Sequence, residues 1–332
     1  MKENEKYFNI QIFRVIASLG VLTVHMGQRL EVGGVVRRIT DIGANGVYIF
    51  FIISGFVACV STEKYDFNFK DDRVQYYKMR FVRLIPLYYC VILYYFLVHT
   101  FVWKDVPLDE IGGLGWLRYI FFLNIFIPYD NNFWGNIGAT WTMNVFALFY
   151  VLFPMIRKYA NNYLKSVLVC CMLYFIKNFD IPYIVDTSID SLWFFMLGVV
   201  SYYACKEKKE KMTGIILCTS LLICYVANIR DGLLIFCLAF SVIMMMSFSV
   251  GRPSEKFQRI VNKMDKYSYD LYLVHAVFIE LIDKYKEYID LNGLGVKIVI
   301  ILIGIFGSCI GSVLVHNLIE RPLQTKLMKK LL

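Results

Sequence analysis

The stretch "FRVIASLGVLTVH", residues 13–25, is largely apolar, yet it carries a guanidinium near one end, Arg14, and an imidazole at the other, His25. Whether such a run lies in lipid is decided by what surrounds it. Of the 332 residues, 58% are hydrophobic and only 18% charged, and the mean hydropathy is +0.55. That is the composition of a membrane protein and not of a soluble globule.

Working outward, apolar runs recur along the chain, and about 20 predominantly apolar residues are needed to cross roughly 30 Å of hydrocarbon. Ten runs are expected to span, near 8–26, 45–62, 84–103, 139–156, 164–177, 189–205, 212–229, 231–250, 268–282 and 295–319. The fold predicted is all-α: a polytopic integral membrane helical bundle of about ten transmembrane helices.

The loops support the alternation. Roughly two thirds of the 35 Lys and Arg residues fall around 2–6, 64–83, 157–165, 206–211, 252–266 and 321–330, which would all be cytoplasmic with ten spans. Both termini are therefore expected in the cytoplasm. The net charge of +9 is accounted for without a nucleic-acid partner.

The start, "MKENEKYFNIQ", has charges before an apolar run, but no small-residue cleavage site follows His25, so a retained first span is expected. The nine cysteines lie mostly within apolar runs and form no C-x-x-C pair, so they read as small buried hydrophobes. Neither a disulfide framework nor a metal site is expected. No Gly/Ser- or Pro-rich linker divides residues 1–332, which read as one integral membrane domain without an appended soluble one.

An ionisable group within a span costs several kcal/mol and marks a functional site by default. Arg14 and His25 are 11 residues apart, which on a helix returns to within about 20° of the same face, roughly 16 Å further along. A plainer reading stands beside this one: Arg14 snorkels to the headgroups and His25 sits at the outer interface.

Other polar residues recur in order. In "GVYIFFIISGFV" (46–57), Ser54 and Gly55 permit close helix approach. In "YYKMRFVRLIPLYY" (76–89), Arg80 and Arg83 are one turn apart ahead of Pro86, which is expected to open the third span. Such a pair can hold an anionic group bidentately, or simply follow the positive-inside bias.

In "ATWTMNVFALFYVLFP" (139–154), Thr140, Trp141, Thr142 and Asn144 form a polar lead-in to a span expected to end at Pro154, with Trp141 equally suited to anchoring at the interface. "YSYDLYLVHAV" (267–277) sets Asp270 and His275 in an apolar helix with three tyrosines; such a histidine is either functional or a hydrogen-bonded packing residue. His99 and His316 read as interfacial, and "IERP" (319–322) closes the last span with Glu320 and a helix-stopping Pro322.

Taken together, these segments resemble acyltransferase family 3, integral membrane acyltransferases that include bacterial O-acetyltransferases of surface polysaccharides. The resemblance runs from Phe8 to about Pro322. An arginine, ten residues and a histidine are matched by Arg14 and His25, and G-V-x-x-F-F-x-x-S-G-F by Gly46 to Phe56. R-x-x-R-x-x-P is matched by Arg80, Arg83 and Pro86, S-Y-x-x-Y-L-x-H by Ser268, Tyr269, Tyr272, Leu273 and His275, and E-x-P by Glu320 and Pro322. Two departures stand out: Tyr48 and Phe146 occupy positions where many members carry carboxylates.

The resemblance implies transfer of an acyl group, acetyl as the expected case, from cytoplasmic acetyl-CoA to a hydroxyl of an exported or lipid-linked glycan. Attack on a thioester needs the hydroxyl deprotonated, and His25 is the expected base. Arg14 would hold the pantetheine end or the charge on the thioester oxygen. Arg80 and Arg83 would bind the CoA phosphates, with Ser54 a further cofactor-binding candidate. Trp141, Tyr272, His275 and Glu320 are expected as substrate-binding or supporting residues. An acyl-histidine intermediate is a competing route, and a flippase or secondary transporter of a glycan or lipid-linked intermediate is the alternative function, although the sequence shows no inverted repeat.

Overall fold

The structure, a computed structural model, describes residues 7–104, 115–126, 140–179, 187–228, 231–248, 251, 253–289, 291 and 293–331. Residues 1–6, 139, 229–230, 249–250 and 252, which entered the span and charge readings, lie outside the described residues.

Among the described residues the secondary structure is helical, with no strand. The helices are α1 (Phe8–Arg29), α2 (Gly34–Ile42), α3 (Gly46–Ser61), α4 (Lys70–Leu97), α5 (Gly115–Ile120), α6 (Thr140–Tyr159) and α7 (Tyr163–Asn178). After these come α8 (Leu192–Lys206), α9 (Glu210–Val226), α10 (Gly232–Ser247), α11 (Glu255–Lys266), α12 (Ser268–Tyr285), α13 (Leu294–Val315) and α14 (Arg321–Leu331).

Each of the ten apolar runs coincides with one helix. Four helical stretches are long and apolar enough to cross a membrane: Phe8–Arg29, Gly34–Ser61, Lys70–Trp103 and Leu294–Leu331. α8 and α10 are apolar but have 15 and 16 residues, about 24 Å at 1.5 Å per residue against roughly 30 Å of hydrocarbon.

The chain divides into two compact units, one of Met1–Ser61 with Phe194–Val313, the other of Thr62–Trp193 with Leu314–Leu332. In the first, α1 is the hub, packed by α2, α3, α10, α11 and α12. Its core joins Leu22 and Met26 of α1, and Leu30 just after it, to Leu271 and Ile279 of α12 and Ile301 of α13. The close approach expected at Ser54 and Gly55 is present: a Cβ on Gly55 would strike the Phe195 carbonyl, and one on Gly198 the Ile52 carbonyl, so α3 and α8 touch backbone to backbone.

In the second unit α4 packs on α6 and on α14, and three prolines expected to bound helices lie within helical stretches. Pro86 is inside α4, which starts 16 residues earlier at Lys70. Pro154 is inside α6. Having no N–H, Pro154 leaves the Tyr150 carbonyl without its intrahelical donor, and the buried Tyr76 hydroxyl donates to that oxygen at 3.3 Å. Tyr77 donates to the next carbonyl, Val151, at 2.9 Å.

A second tyrosine pair, Tyr88 and Tyr89, donates to the carbonyls of Tyr119 and Ile120 at the end of α5, at 2.9 and 2.7 Å. Before Pro322 the backbone forms a π turn, His316–Glu320. Its extra residue per turn lets the chain pass the proline, and the helix continues as α14.

Candidate active site

In the first unit α1 presents both of its anomalous residues. The Arg14 guanidinium donates to Asp265 of α11, Nη2 to Oδ2 at 2.6 Å, with the two side chains 21% and 9% exposed. Arg14 is thus held by a carboxylate and does not rely on snorkelling. Asp265 was not singled out in the sequence, where its segment read only as cationic; an acid among Lys256, Arg259, Lys263 and Lys266 is the signal that would have found it.

His25 is exposed, and its ring lies 5.5 Å from that of His275 on α12, the planes at 38°. His275 is buried, 2% exposed. Tyr272 follows, its ring 5.6 Å from His275, and Phe50 of α3 lies 5.6 Å beyond. Ser54, half-buried, is one turn further along α3. Three helices therefore bring His25, His275, Tyr272 and Phe50 into one run of rings. Asp270, five residues before His275, is fully buried on α12.

In the second unit Arg80 lies between two tyrosine faces, its guanidinium carbon 5.2 Å from the Tyr76 ring centre and 5.0 Å from that of Tyr150. Stacking engages the faces of the guanidinium and leaves its edge donors directed in the plane. Arg83, one turn on, is exposed. The two arginines of the motif thus sit in unlike surroundings, which spacing alone did not suggest.

Trp141 is half-buried near the start of α6, and Thr142 and Asn144 beside it are buried. Glu320 is enclosed, 5% exposed, and accepts from Gln324 Nε2 at 2.8 Å while its other oxygen lies 2.6 Å from His316 Nδ1. His316 is therefore a buried partner of Glu320 and not the interfacial residue expected.

Comparison with known proteins agrees with the motifs. A family model described as an acyltransferase domain, acyltransferase family 3, matches residues 7–317. The chain belongs to acyltransferase family 3. No curated protein and no solved structure gives a significant match.

Proposed function

We propose that the chain is an O-acyltransferase of the inner membrane that moves an acyl group, acetyl in the expected case, from cytoplasmic acyl-CoA to a hydroxyl of an exported or lipid-linked glycan. In this reading the helices make about ten crossings and leave both termini in the cytoplasm, as the charge distribution favours. The observation that carries it is the pairing of exposed His25 with enclosed His275 in a chain of the acyltransferase family.

His25 takes the proton of the acceptor hydroxyl as its oxygen attacks the thioester carbonyl. The C–S bond breaks, the new C–O ester bond forms, and the thiolate leaves with a proton returned from the imidazolium. His275, enclosed with its ring 5.5 Å from that of His25, holds the base in position. Arg14, fixed by Asp265 and roughly 16 Å along α1 from His25, is assigned to the pantetheine end of the donor. Arg80 and Arg83 are assigned to the donor's phosphates, with Arg83 exposed and Arg80 set by its two tyrosines.

The test uses purified wild-type protein and His25→Ala with radiolabelled acetyl-CoA and membrane glycan, following label into base-labile ester. Label that requires His25 is the expected result. Label with neither protein, across glycans and acyl-CoAs, would favour transport of a glycan intermediate instead.

A further inference from the structure

α11 is not one of the apolar runs, and its surface is divided into three sectors. At about 100° per residue, Val261, Asp265 and Gln258 fall on one side, where Val261 is buried and Asp265 holds Arg14. Adjacent to them come Phe257, Ile260 and Met264, which are 44%, 50% and 41% exposed. Beyond these lie Lys256, Lys263, Arg259 and Lys266, all at the protein surface. An apolar stripe between a protein-bound edge and a cationic edge is the pattern of a helix lying in the plane of a membrane surface, with the stripe toward acyl chains and the cations toward headgroups.

We infer that α11 docks on the anionic phospholipid of its own leaflet and, through Asp265, sets the position of Arg14. The occupant follows from charge. Four cations border the stripe, the nearest acids being Glu255, which pairs with Arg259 at 3.2 Å, and Asp265, which is turned toward α1. Each Lys or Arg close to an anionic leaflet contributes roughly a five-fold preference for it. α11 packs on both α1 and α12, so a shift of this helix on the lipid surface moves the carboxylate that holds Arg14.

Asp265 is thus a positioning residue, and anionic lipid an activator acting through it. The part concerning activity rests on the acyltransferase reading; the docking does not.

The experiment keeps the two separate. Wild-type protein and Phe257→Trp are placed in phosphatidylcholine vesicles with equal mole fractions of either brominated phosphatidylglycerol or brominated phosphatidylcholine, and the fluorescence of the introduced indole is taken by difference. Stronger quenching by the brominated phosphatidylglycerol is expected, and the excess should vanish when Lys256, Arg259 and Lys263 are all changed to Gln. Equal quenching by the two lipids, or none, overturns the docking surface.

Transfer rates are then measured with the unbrominated lipids. A several-fold rise in kcat with phosphatidylglycerol is expected, lost in the triple Gln variant and in Asp265→Asn, and partly recovered in Asp265→Glu. Selective quenching with rates indifferent to lipid charge overturns the coupling to Arg14. Absence of transfer in every lipid overturns the acyltransferase reading alone, with the quenching still deciding the docking.

Discussion

His25 and His275 differ in one respect that assigns their roles: the first is exposed and the second enclosed. Removing the exposed imidazole takes away the proposed base, and His25→Ala is expected to lower kcat by about 10² to 10⁴. His275→Leu removes only what orients the base, a loss of order 10². His275→Asn, which keeps a polar acceptor at that position, should retain more activity than His275→Leu. Initial rates of CoA release at saturating donor measure all three.

The two motif arginines separate in the same way. Arg83 is exposed, so Arg83→Ala should raise the donor KM and leave kcat near its wild-type value. Arg80 fills the space between Tyr76 and Tyr150, so Arg80→Ala should raise KM and also lower the melting temperature, because the packing goes with the charge. Steady-state kinetics with a thermal melt of each variant would show the split.

At the level of elements, helices pass prolines because other helices complete them. Tyr76→Phe takes its donor from the part-buried Tyr150 carbonyl, a loss of about 1 kcal/mol. The ring stays, so the stacking on Arg80 and the donor KM should change little while the melting temperature falls. Gly55→Ala drives a methyl into the Phe195 carbonyl and should destabilise by about 1 to 3 kcal/mol. Gly214→Ala on α9, where nothing lies within 4 Å, should be neutral or slightly stabilising by helix propensity.

These contacts also mark where sequence reading stops. Helix content followed from apolar runs, and His25, His275 and Arg14 were visible because a polar group in a greasy segment has no local excuse. The continuation of α6 past Pro154 was not, since the compensating hydroxyl is 74 residues away. Arg14's partner lies 251 residues on, in a segment whose cations concealed its acid. Arg80 looked like Arg83 because the second face of its cage, Tyr150, belongs to another helix.

Among the described residues, four stretches meet the length for crossing on their own, and the shorter apolar helices need neighbours or local thinning of the bilayer to do so. An even number of crossings places both ends on one side. Reporter fusions active only in the cytoplasm, attached at the N-terminus and after residue 332, should both be active; activity at one end alone would mean an odd number of crossings.

Acyl transfer is held to depend on His25 set against His275, and a double-mutant cycle on CoA release decides it. Wild type, His25→Ala, His275→Ala and the double variant are compared in one lipid. With His275 acting only through His25, the double variant should be no slower than His25→Ala alone. A His25→Ala protein that keeps the wild-type rate, or losses that simply multiply, would contradict it.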